Sequence, residues 1–278
     1  MITATTIARS LLAIALLSGA IVGPAPAAPH NAPPPPAPPA LETRINPKDG
    51  AVMVYVPAGT FLMGDNELNK RWSNCPEHKV YLDAFWIYKD DVTVAQYRKF
   101  CKATGRKMPD APRWGWKVDH PMVEVIWDDA KAYCDWAVTA LPTEAQWEKA
   151  ARGTDGRKYP WGNDFDPGKL QRSKKHWPDT GSTAPVGSYP GGASPYGCLD
   201  MAGNAWQWCA DWYGEDYYAH SPARNPAGPA TGPYRVLRGG SWLNVYLVDI
   251  FRCACRYVIT PLNRNPGTGF RCVARAGG

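Results

Sequence analysis

Arg238-Gly-Gly-Ser-Trp242 opens, and Gly269-Phe-Arg-Cys272 closes, the stretch that decides how this chain folds. Between them runs Trp242-Leu-Asn-Val-Tyr-Leu-Val-Asp-Ile-Phe-Arg-Cys253, followed by Ala254 and Cys255. Three earlier blocks belong with it: Met53-Val-Tyr-Val-Pro-Ala-Gly-Thr-Phe-Leu-Met-Gly-Asp65, Leu141-Pro-Thr-Glu-Ala-Gln-Trp-Glu148 and Met201-Ala-Gly-Asn-Ala-Trp-Gln-Trp208. Four multi-residue blocks in a fixed order are far more specific than any single short motif. They span Asp49 to Cys272 without an internal repeat or a second break in composition, which implies one globular domain, residues 49–278, around one core.

Ahead of that domain the composition changes twice. Residues 1–27 read as a secretory signal: Arg9 is the only charge, Leu11 to Val22 is a short apolar run, and Ala25-Pro-Ala27 offers small residues for cleavage. The run is too short for a spanning helix and is ended by Gly23 and Pro24, so the mature chain is expected to carry no integral membrane segment. No cysteine follows for lipid attachment, and a single arginine rather than a pair favours export unfolded. The expected location is the periplasm or the medium. Residues 28–48 then form a linker, rich in Pro and Ala from Pro29 to Pro39, which favours polyproline extension and cannot bury a core.

The formal charge of +6 falls to +5 once the one arginine of the signal is removed. Basic residues are scattered, with Arg172 and Lys174-Lys175 the only local cluster, so nucleic-acid binding is not expected. Eight cysteines in an exported chain point to disulfides before thiol chemistry.

Along the domain, Met53 to Met63 reads as two short strands around Pro57 and Gly59, and Val80 to Ile87 alternates as a further strand. Thr93 to Ala103 reads as a helix with Gln96 completing a capping box, and Gly105 stops it. Trp127 to Val138 is a second helix, opened by Asp128-Asp129 at its positive end. Thr143 and Gln146 start a third, which Gly153 ends. Gly153 to Gly203 is almost all Gly, Pro, Asn, Asp, Ser and aromatic, which implies long loops fastened by packing, metal or disulfide. Short strands, three helices and long loops fit neither a parallel βα repeat nor a regular sandwich, so the fold class is α+β. No Gly-X-Ser-X-Gly, P-loop, His-Glu-X-X-His or dinucleotide fingerprint appears.

The four blocks together resemble the formylglycine-generating enzyme (sulfatase-modifying factor) family. The resemblance implies a C-type-lectin-like fold with little regular structure. It also implies a disulfide between Cys134, which precedes Asp135-Trp136 in the second helix, and Cys272 of the closing block. Cys75, Cys101, Cys198, Cys209, Cys253 and Cys255 remain open, with a Cys253-X-Cys255 metal site one alternative to ordinary pairing.

Family enzymes that make formylglycine bind copper(I) through two cysteines, five residues apart, after Arg-Gly-Gly-Ser. Counting from Gly-Gly-Ser puts the first at Asn244, and counting back from Cys253 puts the second at Val248. Neither is a thiolate, so copper and formylglycine synthesis are not expected. The cleft left behind would be lined by Trp242, Asn244 and Asp249, with Arg252 or Arg256 beside them. The family's second calcium site maps onto Asn204 and Gln207, the latter where the pattern has Glu, so at most one weak structural calcium is expected. The other calcium loop, between Leu170 and Thr183, offers only Asp179.

Some relatives run iron chemistry with a histidine-bearing helical domain ahead of this one, and residues 1–48 do not read as such a domain, so iron is not expected. His30 falls in the linker, His78 and His120 read as structural, and His176 and His220 alone define no metal triad. Two readings follow. The first is a ligand- or protein-binding module, such as an inhibitor or immunity protein. The second is a periplasmic enzyme for oxidative maturation of a secreted metabolite or protein, as in siderophore chromophore maturation, with Asp249 and a nearby arginine moving protons or orienting an acidic substrate.

Overall fold

A computed structural model describes residues 41–67, 74–173, 181–245 and 247–277. The expected signal at 1–27, most of the expected linker with His30, and Lys174-Lys175, His176, Trp177 and Asp179 lie outside the described residues. Among the described residues, ten strands and four α-helices run in the order β1 (Thr43–Ile45), β2 (Val52–Val56), β3 (Gly59–Met63), β4 (His78–Leu82), β5 (Phe85–Tyr88), α1 (Val94–Thr104), α2 (Trp127–Trp136), α3 (Glu144–Arg152), β6 (Trp206–Trp212), α4 (Tyr217–His220), β7 (Arg235–Arg238), β8 (Tyr257–Ile259), β9 (Thr268–Gly269) and β10 (Val273–Arg275). None of the described helices is long and apolar enough to cross a membrane.

The central sheet has the order β1-β2-β5-β10, all antiparallel. Its inner strands β2 and β5 are short and apolar on both sides because both faces are covered there. Along β2, Met53 enters a core with Tyr88, Tyr97, Phe100, Tyr133 and Phe270, while Val54 and Val56 enter a second with Phe85, Ile87 and Trp147. A second sheet, β8-β7-β6-β9, mixes antiparallel pairs with a parallel β6–β9 pair, and β3 with β4 forms a two-stranded ribbon.

Helices α1 and α3 start where the sequence placed them. Thr93 accepts from the Gln96 backbone N–H and Gln96 Oε1 accepts from the Thr93 N–H, and Thr143 and Gln146 repeat the pattern. Elsewhere the structure corrects the reading. The alternating run at 80–87 is two strands in different sheets, broken at Asp83-Ala84. The pair around Pro57 is likewise split between sheets, because β2 pairs with β1 and β5 while β3 pairs with β4. Helix α2 stops at Trp136, and Val138 takes a left-handed φ of 58°.

The domain also starts before Asp49. The compact unit runs Ala40–Gly278, and residues 43–45 of the supposed linker supply an edge strand. Asn46 is buried and donates from Nδ2 to Tyr88 Oη (2.8 Å) and to the Ala137 carbonyl (3.1 Å). An alternation of only three residues beside a Pro-Ala tract carries too little signal to be read as a strand.

Candidate functional site

The Arg238–Arg256 stretch is anchored at both ends by buried charge. Arg238 ends β7 with its guanidinium between Glu144 (3.3 Å) and Glu148, and donates to the carbonyls of Cys253 (2.7 Å) and Ala254 (3.1 Å). Arg256 holds Glu144 through two bonds of 2.7 and 2.9 Å and lies 4.1 Å from the Tyr218 ring centroid. Glu148 also holds Arg152 (2.7 Å) and accepts from the Gly64 N–H (2.8 Å). The result is a buried ladder, Arg256–Glu144–Arg238–Glu148–Arg152. Burial pushes the Glu144 carboxyl up, but Arg256 and Arg238 outweigh it and hold it below the ordinary value.

The loop between those anchors turns on Gly239 and Gly240, both at positive φ, and a Cβ on Gly240 would lie 2.5 Å from the Phe251 ring. Asn244 then closes a turn: its Oδ1 accepts from the Ser241 N–H (2.8 Å), and its own N–H donates to the Ser241 carbonyl (3.0 Å). Trp242 is buried, donates from its indole to the Pro266 carbonyl (2.9 Å), and meets Trp114 edge-on at 5.1 Å with the Arg113 guanidinium 5.5 Å from its ring. Beyond it, Leu247 and Val248 are 54 % and 38 % exposed. Arg252 gathers three acids: Asp249 (2.8 Å), Asp65 (3.2 Å) and Glu67 (3.9 Å).

The candidate cleft is therefore assembled in part. Trp242 and Asn244 share one turn, and Asp249 and Arg252 form a pair beside it. Arg256 belongs to the ladder in the core, which corrects its placement in the cleft: Glu144 draws it inward. Asp65, which ends the Met53–Asp65 block, and Glu67 just beyond it were not anticipated as partners of Arg252. The ladder was not anticipated either, although Glu144, Glu148 and Arg152 at i, i+4 and i+8 put three charges on one side of α3, which was the signal available.

The donor sets named for metals fare differently from the scaffold. Asn244 is committed to its turn and Val248 has no donor, while burial holds the Cys253 and Cys255 thiols protonated, with pKa values pushed up to about 12. A copper(I) thiolate pair does not fit. Cys253 and Cys255 also enter different cores in a turn rather than sharing a strand face, so they do not chelate together.

Gln207 does not fit as a calcium ligand: Oε1 accepts from the Trp147 indole (2.6 Å) and Arg271 Nε (2.7 Å), and Nε2 donates to the Asp200 carbonyl (2.7 Å). Asn204 exchanges hydrogen bonds with the Ala184 backbone (2.9 and 3.3 Å). Among the described residues no three His, Cys, Asp or Glu side chains gather as a metal cluster. His78 and His120 play the structural parts expected, bonding Pro76 O and Thr183 Oγ1, each at 2.9 Å. Cys134 and Cys272 are buried neighbours with their sulfurs 3.3 Å apart, but both are free thiols in the structure.

This architecture matches the sulfatase-modifying factor enzyme 1-like domain over residues 40–276, and the chain belongs to that family. Its fold is the α+β, C-type-lectin-like arrangement of formylglycine-generating enzymes. The formylglycine-generating enzyme of Streptomyces coelicolor is 36 % identical over 286 aligned residues, covering 81 % of this chain and 90 % of its own. The inactive C-alpha-formylglycine-generating enzyme 2 of Mus musculus is 30 % identical, covering 81 % and 86 %. The solved structure of PvdO from Pseudomonas aeruginosa superposes with a TM-score of 0.70 at 27 % identity, covering 84 % of this chain and 97 % of PvdO.

Proposed function

We propose that this protein is an exported family member that makes no formylglycine and serves as a ligand- or protein-binding module, using the loop that stands where the copper pair would be. The observation that carries this reading is Asn244, whose side-chain oxygen is spent on the Ser241 N–H instead of facing a reactant. Next to it, two aliphatic side chains reach into solvent and a ring of charges surrounds Arg252. An apolar patch rimmed by charge is the usual make-up of a recognition surface. The relative that carries the word inactive in its name supports a non-catalytic use of the fold. Oxidative maturation of a secreted metabolite or protein is the alternative, and there Asp249 and Arg252 would be the reagents. Their engagement with each other and with Asp65 favours binding over proton transfer.

Incubation with copper(I), oxygen and a Cys-X-Pro-X-Arg peptide is expected to leave the peptide unmodified, and aldehyde formation would refute the first half of the proposal. For the second half, a partner retained by the wild type should be released by Leu247→Asp with Val248→Asp. Chemical change in a retained small molecule would move the protein to the enzyme reading.

A further inference from the structure

On another face of the domain, residues 44–48 of the β1 edge, the 137–141 turn after α2, and β10 enclose an open groove of about 990 Å³. Its lining is mostly aliphatic and includes Ile45, Met53, Val138, Leu141 and Val273. Among the described residues its charged lining consists of Arg44, Lys48 and Arg275, with no carboxylate. A groove of this size and make-up has the character of a small-molecule site.

Val138 gives the groove a second peculiarity. It follows the C-cap of α2 at φ 58°, a conformation that suits glycine or asparagine and is costly for a β-branched side chain. That side chain is also 81 % exposed, so packing within the domain does not repay the strain. Ile45, across the groove, is 67 % exposed. Two large aliphatic groups held in water, one of them in a strained backbone, point to a contact made with something else.

We propose that this groove binds a free single-chain amphiphile with an anionic head, such as a fatty-acid carboxylate, its tail along Ile45, Val138 and Leu141 and its head met by the rim cations. Charge complementarity decides the head, since among the described residues three cations and no acid line the site. Concavity decides the source: a chain fits between two walls, whereas a bilayer needs a convex or flat apolar face.

The test is calorimetric titration of the secreted chain with dodecanoate, dodecanol and dodecylammonium, all below their micelle concentrations. Dodecanoate is expected to bind saturably and at least about tenfold tighter than dodecylammonium, by the attraction of like-sited cations for an anion. Lys48→Glu with Arg275→Glu should weaken dodecanoate by about tenfold or more and leave dodecanol little changed. Val138→Gly separates binding from folding: it relieves the strained φ, so the melting temperature should hold or rise, while dodecanoate binding falls several-fold. No saturable dodecanoate binding, equal affinity for dodecylammonium, or unchanged binding in Val138→Gly would overturn the proposal. So would capture by phosphatidylglycerol vesicles without binding of monomeric dodecanoate, which would make the surface a membrane contact, or displacement of bound dodecanoate by no variant of the rim.

Discussion

In the ladder, Arg238 lies between Glu144 and Glu148 with its side chain fully out of water, whereas in the loop Arg252 pairs with an Asp249 side chain that is 49 % exposed. The two arrangements use the same chemical groups and come from one stretch of chain, yet they do opposite work. The buried ladder ties β7, α3 and the turn at Cys253 together, and each charge there would be intolerable without its partner. The exposed pair trades solvent for a neighbour at little net gain. Hence the residues that make this chain look like its family are largely fold determinants, while the residues between Asn244 and Asp249, which carry the family's chemistry elsewhere, are free to differ without loss of the scaffold.

The largest effect should come from breaking the ladder. Glu148→Gln keeps an oxygen for the Gly64 N–H but strips Arg238 and Arg152 of a shared carboxylate. Urea unfolding is expected to show a loss of about 3 to 5 kcal/mol, or no soluble protein, against about 0 to 1 kcal/mol for Asp249→Asn. Similar losses for both variants would erase the distinction between the two regions.

An effect of comparable size concerns the buried pair Cys134 and Cys272. We expect Cys134 and Cys272 to be bonded when the protein is held under oxidising conditions, because their buried sulfurs lie only 3.3 Å apart. Closing so long a loop stabilises by about 3 to 5 kcal/mol in the chain-entropy model. Peptide mapping without reduction reads the pairing directly: alkylation of either residue in unreduced protein would rule the bond out, and Cys134→Ser should lose most of that stability.

How much was legible in the sequence follows the same division. Both capping boxes were readable because Thr93 with Gln96, and Thr143 with Gln146, act within one turn of chain. The contact between Cys134 and Cys272 came through the resemblance, not through any local rule. What stayed hidden was decided by distant partners: β1 exists because β2 offers it an edge, Arg256 turns inward because Glu144 is there, and Asp65 faces Arg252 across the fold. Pairings between residues far apart in sequence leave no periodicity to read.

A titration tests the buried side of the comparison at its margin. Asp211 accepts from the Glu144 backbone N–H (2.7 Å), and burial, reinforced by the Glu144 charge, raises its carboxyl from 3.8 to about 8. Between those values the folded protein keeps a proton that the unfolded chain has released. The stability this group lends is therefore complete below pH 4 and lost as pH rises towards 8, at up to about 1.4 kcal/mol per unit. Asp211→Asn retains the acceptor oxygen and removes the titration. Relaxation around the ionised carboxylate reduces the full value, so the variant should lose about 2 kcal/mol less than the wild type between pH 5 and 8. Parallel stability curves would show that Asp211 is ionised throughout.

The smallest effect concerns Gln207, which lies between the two regimes because it is buried but uncharged. Its amide gives one oxygen to two donors and one N–H to the Asp200 carbonyl, so calcium at millimolar concentration should leave the wild-type melting temperature unchanged. Gln207→Glu would replace that N–H with a carboxylate oxygen facing a carbonyl 2.7 Å away, a contact that a bound cation would relieve. The variant should then gain a calcium-dependent stabilisation, about 1.4 kcal/mol at ten times its dissociation constant, since an ion that binds only the folded state acts by mass action. Thermal unfolding with and without calcium separates the possibilities. A calcium shift already present in the wild type would mean that Gln207 releases Trp147 or Arg271 to bind the ion, and a variant indifferent to calcium would mean that the Arg271 guanidinium alone satisfies the new charge.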